Sequence, residues 1–174
     1  MGIEKQDLIK WENNEPGITV DVQKIHDVIN KVEQNLSVKL PDEYKDYLIL
    51  VGDQTSWPQE DCGYFLAKYN GKTIQVLMSV LFPTEDVIDS TKLLQESIYE
   101  NRTLLSNGLI VIGCDYDDIA DAYLVYDIRE NSLTYQHVFH WRYYQDNLVV
   151  GDGLGLVAHS LKDFLHTPTS EDKL

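Results

Sequence analysis

The stretch "CDYDDIADAY", residues 114–123, carries Asp115, Asp117, Asp118 and Asp121 around Tyr116, with no cation among them. Carboxylates this concentrated could hold a metal, act as an acid–base pair or face a cationic partner. Spacing argues against the metal forms. A calcium EF-hand loop needs oxygens at positions 1, 3, 5 and 12 and Gly at 6. Counting from Asp115, Asp117 falls at position 3, but Ile119 and Ala120 occupy 5 and 6. A two-metal hydrolase collects carboxylates from several strand ends, often with histidine. Here they share one loop, and no histidine lies at ligand spacing. The acids therefore read as solvated surface, or as a contact for something basic.

Other chemical candidates are weaker. "GLGLVA", residues 153–158, matches G-x-G-x-x-A after a short apolar run. A dinucleotide site would also need an acid about 20 residues later and a second parallel strand, and the sequence closes before either. The segment reads as a flexible loop leading to the last helix. His137 falls on an apolar strand face and is expected to be a hydrogen-bonded core histidine, with His140 on the opposite face. Neither "HVFH" nor "HSLKDFLH" pairs two rings at ligand geometry, since three residues along a strand reverses the face. No serine has a G-x-S-x-G context, and the acids beside Cys114 would raise a thiol pKa rather than activate it. No catalytic residue, cofactor or metal ligand emerges. Trp57 in "SWPQED" falls outside regular structure beside Glu60 and Asp61. An exposed aromatic among acids suits a protein interface, where aromatics anchor and charges guide encounter; alternatively Trp57 covers one end of the core.

Composition narrows the partners. The chain has 174 residues, 14 Lys+Arg against 29 Asp+Glu and a formal net charge of -15. That charge disfavours nucleic acid and anionic membrane and favours a basic protein or a cation. With 43% hydrophobic residues, the chain can build a core. The N-terminus is polar, unlike a signal peptide, and Gln6 stands where a myristoylation motif wants Ser or Thr. No apolar run approaches a membrane span. Cys62 and Cys114 lack the spacing of a zinc site. The expectation is a soluble cytoplasmic protein.

The elements that would position these residues follow from periodicity. Ile25, Val28, Ile29, Val32 and Leu36 share one helical face behind an Asp21 cap. "LPDEYKDYLILVG" opens a second helix at Pro41, buries Tyr44, Tyr47, Leu48 and Val51, and stops at Gly52. "GYFLAKYNGKTIQVLMSVLF" is a hairpin turning at Asn70-Gly71 or Gly71-Lys72. A third helix begins at Thr84, itself the cap. "GLIVIG" is a strand buried on both faces. "DAYLVYDI" and "LTYQHVFHW" are strands joined by a turn at "RENS". A last helix starts at Ser160, with Asp163 as capping-box partner, and "TPTSEDKL" frays. The order α, α, β-hairpin, α, β, β-hairpin, α predicts an α+β class: a mainly antiparallel or mixed central sheet flanked by helices.

Three motifs resemble the SUKH superfamily, which includes yeast cell-wall assembly regulators and many bacterial immunity proteins. "VEQNLSVKLPDEYKDYLILVG" is similar to its helix followed by L-P-x-x-Y-K-x-aromatic-L and glycine, matched by Leu40, Pro41, Tyr44, Lys45, Tyr47 and Leu48. "LIVIGCDYDDIADAYLVYDI" resembles its apolar strand, glycine and acidic loop, through Gly113, Asp115, Asp121 and Asp127. "VAHSLKDFL" resembles its closing helix, through Ala158, Ser160, Phe164 and Leu165. The chain departs in "GDQTSWPQED", where the family is glycine-rich, and in the inserted residues 116–119.

The resemblance implies one SUKH-like domain over residues 1–174, with an ordered core over about 18–167. It implies a non-enzymatic immunity protein that neutralises a bacterial toxin domain, often a nuclease. A nuclease must hold phosphate, so a basic toxin and an acidic inhibitor are complementary. The contact residues expected are Asp115, Tyr116, Asp117, Asp118 and Asp121 in one loop, with Trp57, Glu60 and Asp61 as a second patch. The alternatives are a non-catalytic regulatory scaffold and, third, a metal-dependent hydrolase using the aspartate loop.

Overall fold

The computed structural model describes residues 2–13, 20–99, 102–115, 122–142 and 148–174. Helix α1 (Val22–Leu36) starts where the Asp21 carboxylate accepts from the Gln23 and Lys24 amides, and it buries Ile25, Ile29, Val32 and Leu36. Helix α2 (Asp42–Val51) follows with Pro41 in the cap position, one residue before the first helical turn, and ends at Gly52 with φ 72°. Its buried face carries Tyr44, Tyr47, Leu48 and Val51 as the spacing predicts, but also Glu43. Helix α3 (Thr84–Glu96) is not capped by its own threonine. Asp53, just past α2, accepts from the Thr84 amide (2.7 Å) and hydroxyl (2.9 Å). The cap comes from across the fold because Thr84 is already inside the helix. Helix α4 (Leu161–Leu165) starts at Ser160, whose hydroxyl oxygen accepts from the Asp163 amide.

The α+β class expected from the sequence is what the chain adopts. The strands are β1 (Trp11–Asn13), β2 (Ser56–Pro58), β3 (Tyr64–Tyr69), β4 (Lys72–Leu81), β5 (Ile98–Tyr99), β6 (Arg102–Thr103), β7 (Leu109–Asp115), β8 (Ala122–Asp127), β9 (Val138–Arg142) and β10 (Leu154–Ala158). The large sheet runs β1-β2-β4-β3-β10-β9-β8-β7, and β4 also pairs with β7. All its strand pairings are antiparallel. Strand β4 is long enough to serve two neighbours. Lys72–Leu77 pairs with β3, while Met78, Val80 and Leu81 lie opposite Asp115, Cys114 and Gly113 of β7. The sheet thus closes into a barrel through β4, β3, β10, β9, β8 and β7, which leaves fewer open edges. At the seam a Cβ on Gly113 would sit 2.6 Å from the Val80 carbonyl oxygen, so only glycine fits.

One apolar cluster joins α1, α2 and α4 to sheet residues including Phe65, Val76, Met78, Ile112, Leu124 and Val138. Another lies on the opposite sheet face, where Val111, Val125, Phe139, Trp141 and Leu154 meet Leu94 and Leu105. The hairpin turn is Asn70-Gly71, with Gly71 at φ 78° and Tyr69 opposite Lys72.

Several expectations fail for identifiable reasons. "GLGLVA" is not a flexible loop: Leu154–Ala158 is β10, set between β3 and β9. "LTYQHVFHW" becomes a strand only from Val138, and Leu133 is fully exposed. Residues before it fold around Asp127, whose carboxylate accepts from Arg129 (N and Nε), Ser132 and Thr134 hydroxyls. A buried carboxylate needs donors, and that need takes precedence over strand pattern. Burial opposes ionisation of Asp127, but these donors prevail and hold its pKa below the ordinary value. The tail does not fray. Thr169 pairs with Tyr64, and Lys10 Nζ donates to the His166 and Pro168 carbonyls.

Glu43 ties the layers together. Its Oε2 accepts from the Tyr126 hydroxyl at 2.5 Å and from the Leu161 amide at 2.8 Å, while Oε1 accepts from the Lys162 amide at 3.3 Å. One carboxylate of α2 thereby holds β8 and the first turn of α4, whose open amides favour negative charge. Glu43→Ala leaves these buried donors unmatched and is expected to cost roughly 3 kcal/mol, against about 1–2 kcal/mol for Tyr126→Phe, read by urea unfolding. Desolvation pushes the phenols of Tyr44, Tyr47 and Tyr126 well above the ordinary 10.0, with Asp53 adding to the first two and Glu43 to the third. The folded state keeps these protons where the unfolded chain would lose them. Stability is therefore full below about pH 10 and falls as pH rises further. The urea midpoint should drop between about pH 9 and 11, less steeply in Tyr126→Phe.

Candidate functional site

The loop after β2 is built from polar anchors. The Gln59 amide donates to the Lys10 carbonyl (2.8 Å), and Gln59 Nε2 to the Trp11 carbonyl (3.2 Å). Trp11 is in turn fixed by its indole N–H on the Leu165 carbonyl at 2.9 Å. Asp61 takes a left-handed φ of 64°, which aspartate tolerates better than most residues. These contacts present Glu60 and Asp61 outward, while Trp57, expected outside regular structure, lies in β2 because the segment finds β1 and the end of β4 as partners. Trp57 pairs with Glu12 in the sheet register and keeps 36% of its surface exposed; Glu60 and Asp61 are exposed.

Beside this loop lies a groove of about 640 Å³. Tyr64 and Leu77 contribute apolar surface, and Leu77 is 39% exposed. Asp61 stands on one side, with Glu171 and Asp172 of the C-terminal tail also lining it. Sequence reasoning missed this second wall because it took the tail as frayed. Its only signal was Thr169-Ser170 ahead of two acids.

The aspartate loop divides. Asp115 ends β7, and its side chain turns inward, only 6% exposed. His140 Nε2 lies 2.9 Å from Asp115 Oδ2, while Tyr69 Oη is 2.9 Å from His140 Nδ1 and 3.0 Å from the His140 carbonyl oxygen. Asp115 is thus an internal anchor of the barrel end rather than an open surface charge. Tyr116, Asp117, Asp118 and Asp121 lie outside the described residues. The two segments singled out in the sequence leave from strands that share β4 as a partner. Asp115 stands opposite Met78 of β4, and the Met78 amide donates to the Gly63 carbonyl, two residues from Asp61.

The histidines also exchange roles. His140, not His137, is the fully buried one. Both faces of β9 are covered, and Val138 and His140 belong to the face that carries the helices' cluster, so the less apolar-looking face is buried too. His137 is half-buried, its ring edge-on to His159 with centroids 4.9 Å apart, a contact the sequence spacing did not suggest. Among the described residues no group of three or more His, Cys, Asp or Glu side chains could hold a metal ion, and no disulfide joins Cys62 to Cys114. No helix among them is long and apolar enough to cross a membrane.

A family model describing the SMI1 / KNR4 family (SUKH-1) matches residues 26–167. The chain belongs to this family. No curated protein and no solved structure matches it. Most of the SUKH motif residues among the described residues are packing and anchoring positions. Leu40, Tyr44, Tyr47 and Leu48 are core, Gly113 is the barrel seam, and Asp127 braces the β8–β9 connection. The departures from the motif fall on residues 52–61, which run from the end of α2 through β2 into the loop that follows, and on residues outside the described set.

The geometry assigns Gly155 a structural role in place of the cofactor role its motif suggested. It lies opposite His140, and a Cβ there would meet Tyr69 Cε2 at 2.3 Å. Gly155→Ala must push the Tyr69 ring from His140, at a cost of about 1–3 kcal/mol. The check is a double-mutant cycle with Tyr69→Ala. The alanine at 155 should cost much less once the ring is gone.

Proposed function

We propose that this SUKH-family chain is a non-catalytic immunity protein that binds a toxin domain and blocks it through an acidic face. The observation that carries the reading is Trp57, exposed on the short strand β2, with Glu60 and Asp61 on the anchored loop that follows it. A preorganised aromatic with flanking charge loses little ordering entropy on binding. The net charge of -15 favours a basic partner, such as a toxin that must hold a nucleic-acid backbone. Tyr116, Asp117, Asp118 and Asp121 form the second contact segment in this reading. Asp115 serves it from inside, by holding the strand end from which that segment leaves. The protein acts in the cytoplasm, where a nuclease toxin would find its substrate.

Co-expression tests the proposal. The large gene product encoded beside this one should kill cells when expressed alone and spare them when this chain is present. Trp57→Ala combined with Glu60→Gln and Asp61→Asn should abolish the protection. The association rate of the pair should fall steeply between low and high salt, because steering is screened beyond about 10 Å at 0.1 M. A neighbour that is not toxic, or a rate indifferent to salt, would count against it.

A further inference from the structure

The groove beside the loop after β2 has a floor and two acidic walls that arrive from distant parts of the chain. Tyr64 and Leu77 of β3 and β4 supply apolar surface. Asp61 comes from the β2–β3 connection, and Glu171 and Asp172 come from the tail. The tail is held there by its own bonds. The Thr169 amide donates to the Tyr64 carbonyl at 2.8 Å, and the Tyr64 amide donates back at 2.9 Å. Lys10 Nζ donates to the Pro168 carbonyl at 2.7 Å. Among the described residues that line the groove three are acidic and none is basic.

We infer that this groove takes an extended basic segment of the partner protein, with the C-terminal tail as a recognition wall. The inference rests on the immunity reading and adds to it the site, the chemistry of the occupant and a role for residues 168–172. The fit is one of charge and shape together. An arginine or lysine stem can lie along Leu77 and Tyr64 while its charged head stands among Asp61, Glu171 and Asp172. An adjoining apolar side chain of the segment can cover the exposed remainder of Leu77. An acidic or purely polar segment would leave either the walls or the floor unmatched.

The test uses the full chain and two labelled nonapeptides, one alternating Arg with Leu and one alternating Arg with Ser. Anisotropy and amide chemical shifts are followed at low salt. The Arg–Leu peptide should bind about tenfold more tightly than the Arg–Ser peptide, with shifts centred on Tyr64, Leu77 and Glu171. Asp61→Asn/Glu171→Gln/Asp172→Asn should weaken it about tenfold. Leu77→Ser should remove the difference between the two peptides while leaving the urea midpoint nearly unchanged. Equal affinity of wild type and the triple variant, or shifts spread evenly over the acidic surface, would overturn the groove. So would the absence of binding at millimolar peptide. Co-expression separates this inference from the function beneath it. Protection that survives the Glu171/Asp172 changes refutes the groove and leaves immunity standing. Peptide binding in the groove without any toxic neighbour does the reverse.

Discussion

A carboxylate removed from water must be met by donors, and the position of Glu43 follows from that demand. It lies on the buried face of α2, where an apolar residue would satisfy the helical pattern equally well. Tyr126 of β8 and the first amides of α4 supply the bonds it needs. The three elements come from distant parts of the chain, so the contact fixes their relative position in a way that apolar packing, which is non-directional, does not. Tyr44 stacks on Tyr47 and lies tilted against Tyr126 around the same point, which keeps it dry. A dry site strengthens each bond and raises the cost of losing any of them.

The same logic extends outward along the chain. The His166 ring lies 2.7 Å from Asp7 Oδ1, and the Glu4 amide donates to Asp7 Oδ2, so the N-terminal turn is bound to the end of α4. Burial opposes the charge of Asp7, but the Glu4 amide, His166 and Lys162 outweigh it and hold its pKa below the usual value. Trp11 and Lys10 continue the attachment to the last residue of α4 and the residues after it, and Gln59 passes it to the loop that follows Trp57 and β2. A surface loop of short, polar sequence would otherwise sample many conformations. Here its position is inherited, step by step, from the helix that Glu43 caps.

The sequence made the helices legible because each carries its own signal. Periodicity marks the buried stripe of α1, and Pro41 and Gly52 bracket α2. The long hairpin was legible for a similar reason, since alternation and Asn-Gly are both local. What escaped depends on partners far along the chain. Strand β10 contains Gly155 and follows two further glycines, so its own propensity points to a loop. It is a strand because β3 and β9 flank it and the Tyr69 ring needs the space. The short β1 and β2 are likewise strands only because they find each other and the end of β4. Of the expected contact residues, Trp57, Glu60 and Asp61 are exposed, as the acids clustered there suggested, although Trp57 lies in β2 rather than outside regular structure. The inward turn of Asp115 was not legible, because it depends on where a histidine of another strand lies.

That difference bears on how the acidic composition should be read. A count of carboxylates does not distinguish those that hold the fold from those that act at a distance. Glu43, Asp53 and Asp115 are engaged by amides, hydroxyls and an imidazole. Asp7 and Asp127 are engaged partly by cations. Their directional bonds set backbone positions, and their fields are felt mainly by the groups that surround them. Asp61, Glu171 and Asp172 stand in solvent around an apolar floor, where a charge is free to meet a cation arriving from outside. Chemically identical side chains thus divide by burial into two tasks. The buried set fixes helices and strand ends, while Gln59, Lys10 and the Thr169–Tyr64 pairing hold the loop and the tail, so that the exposed set presents a defined pattern rather than a diffuse negative surface.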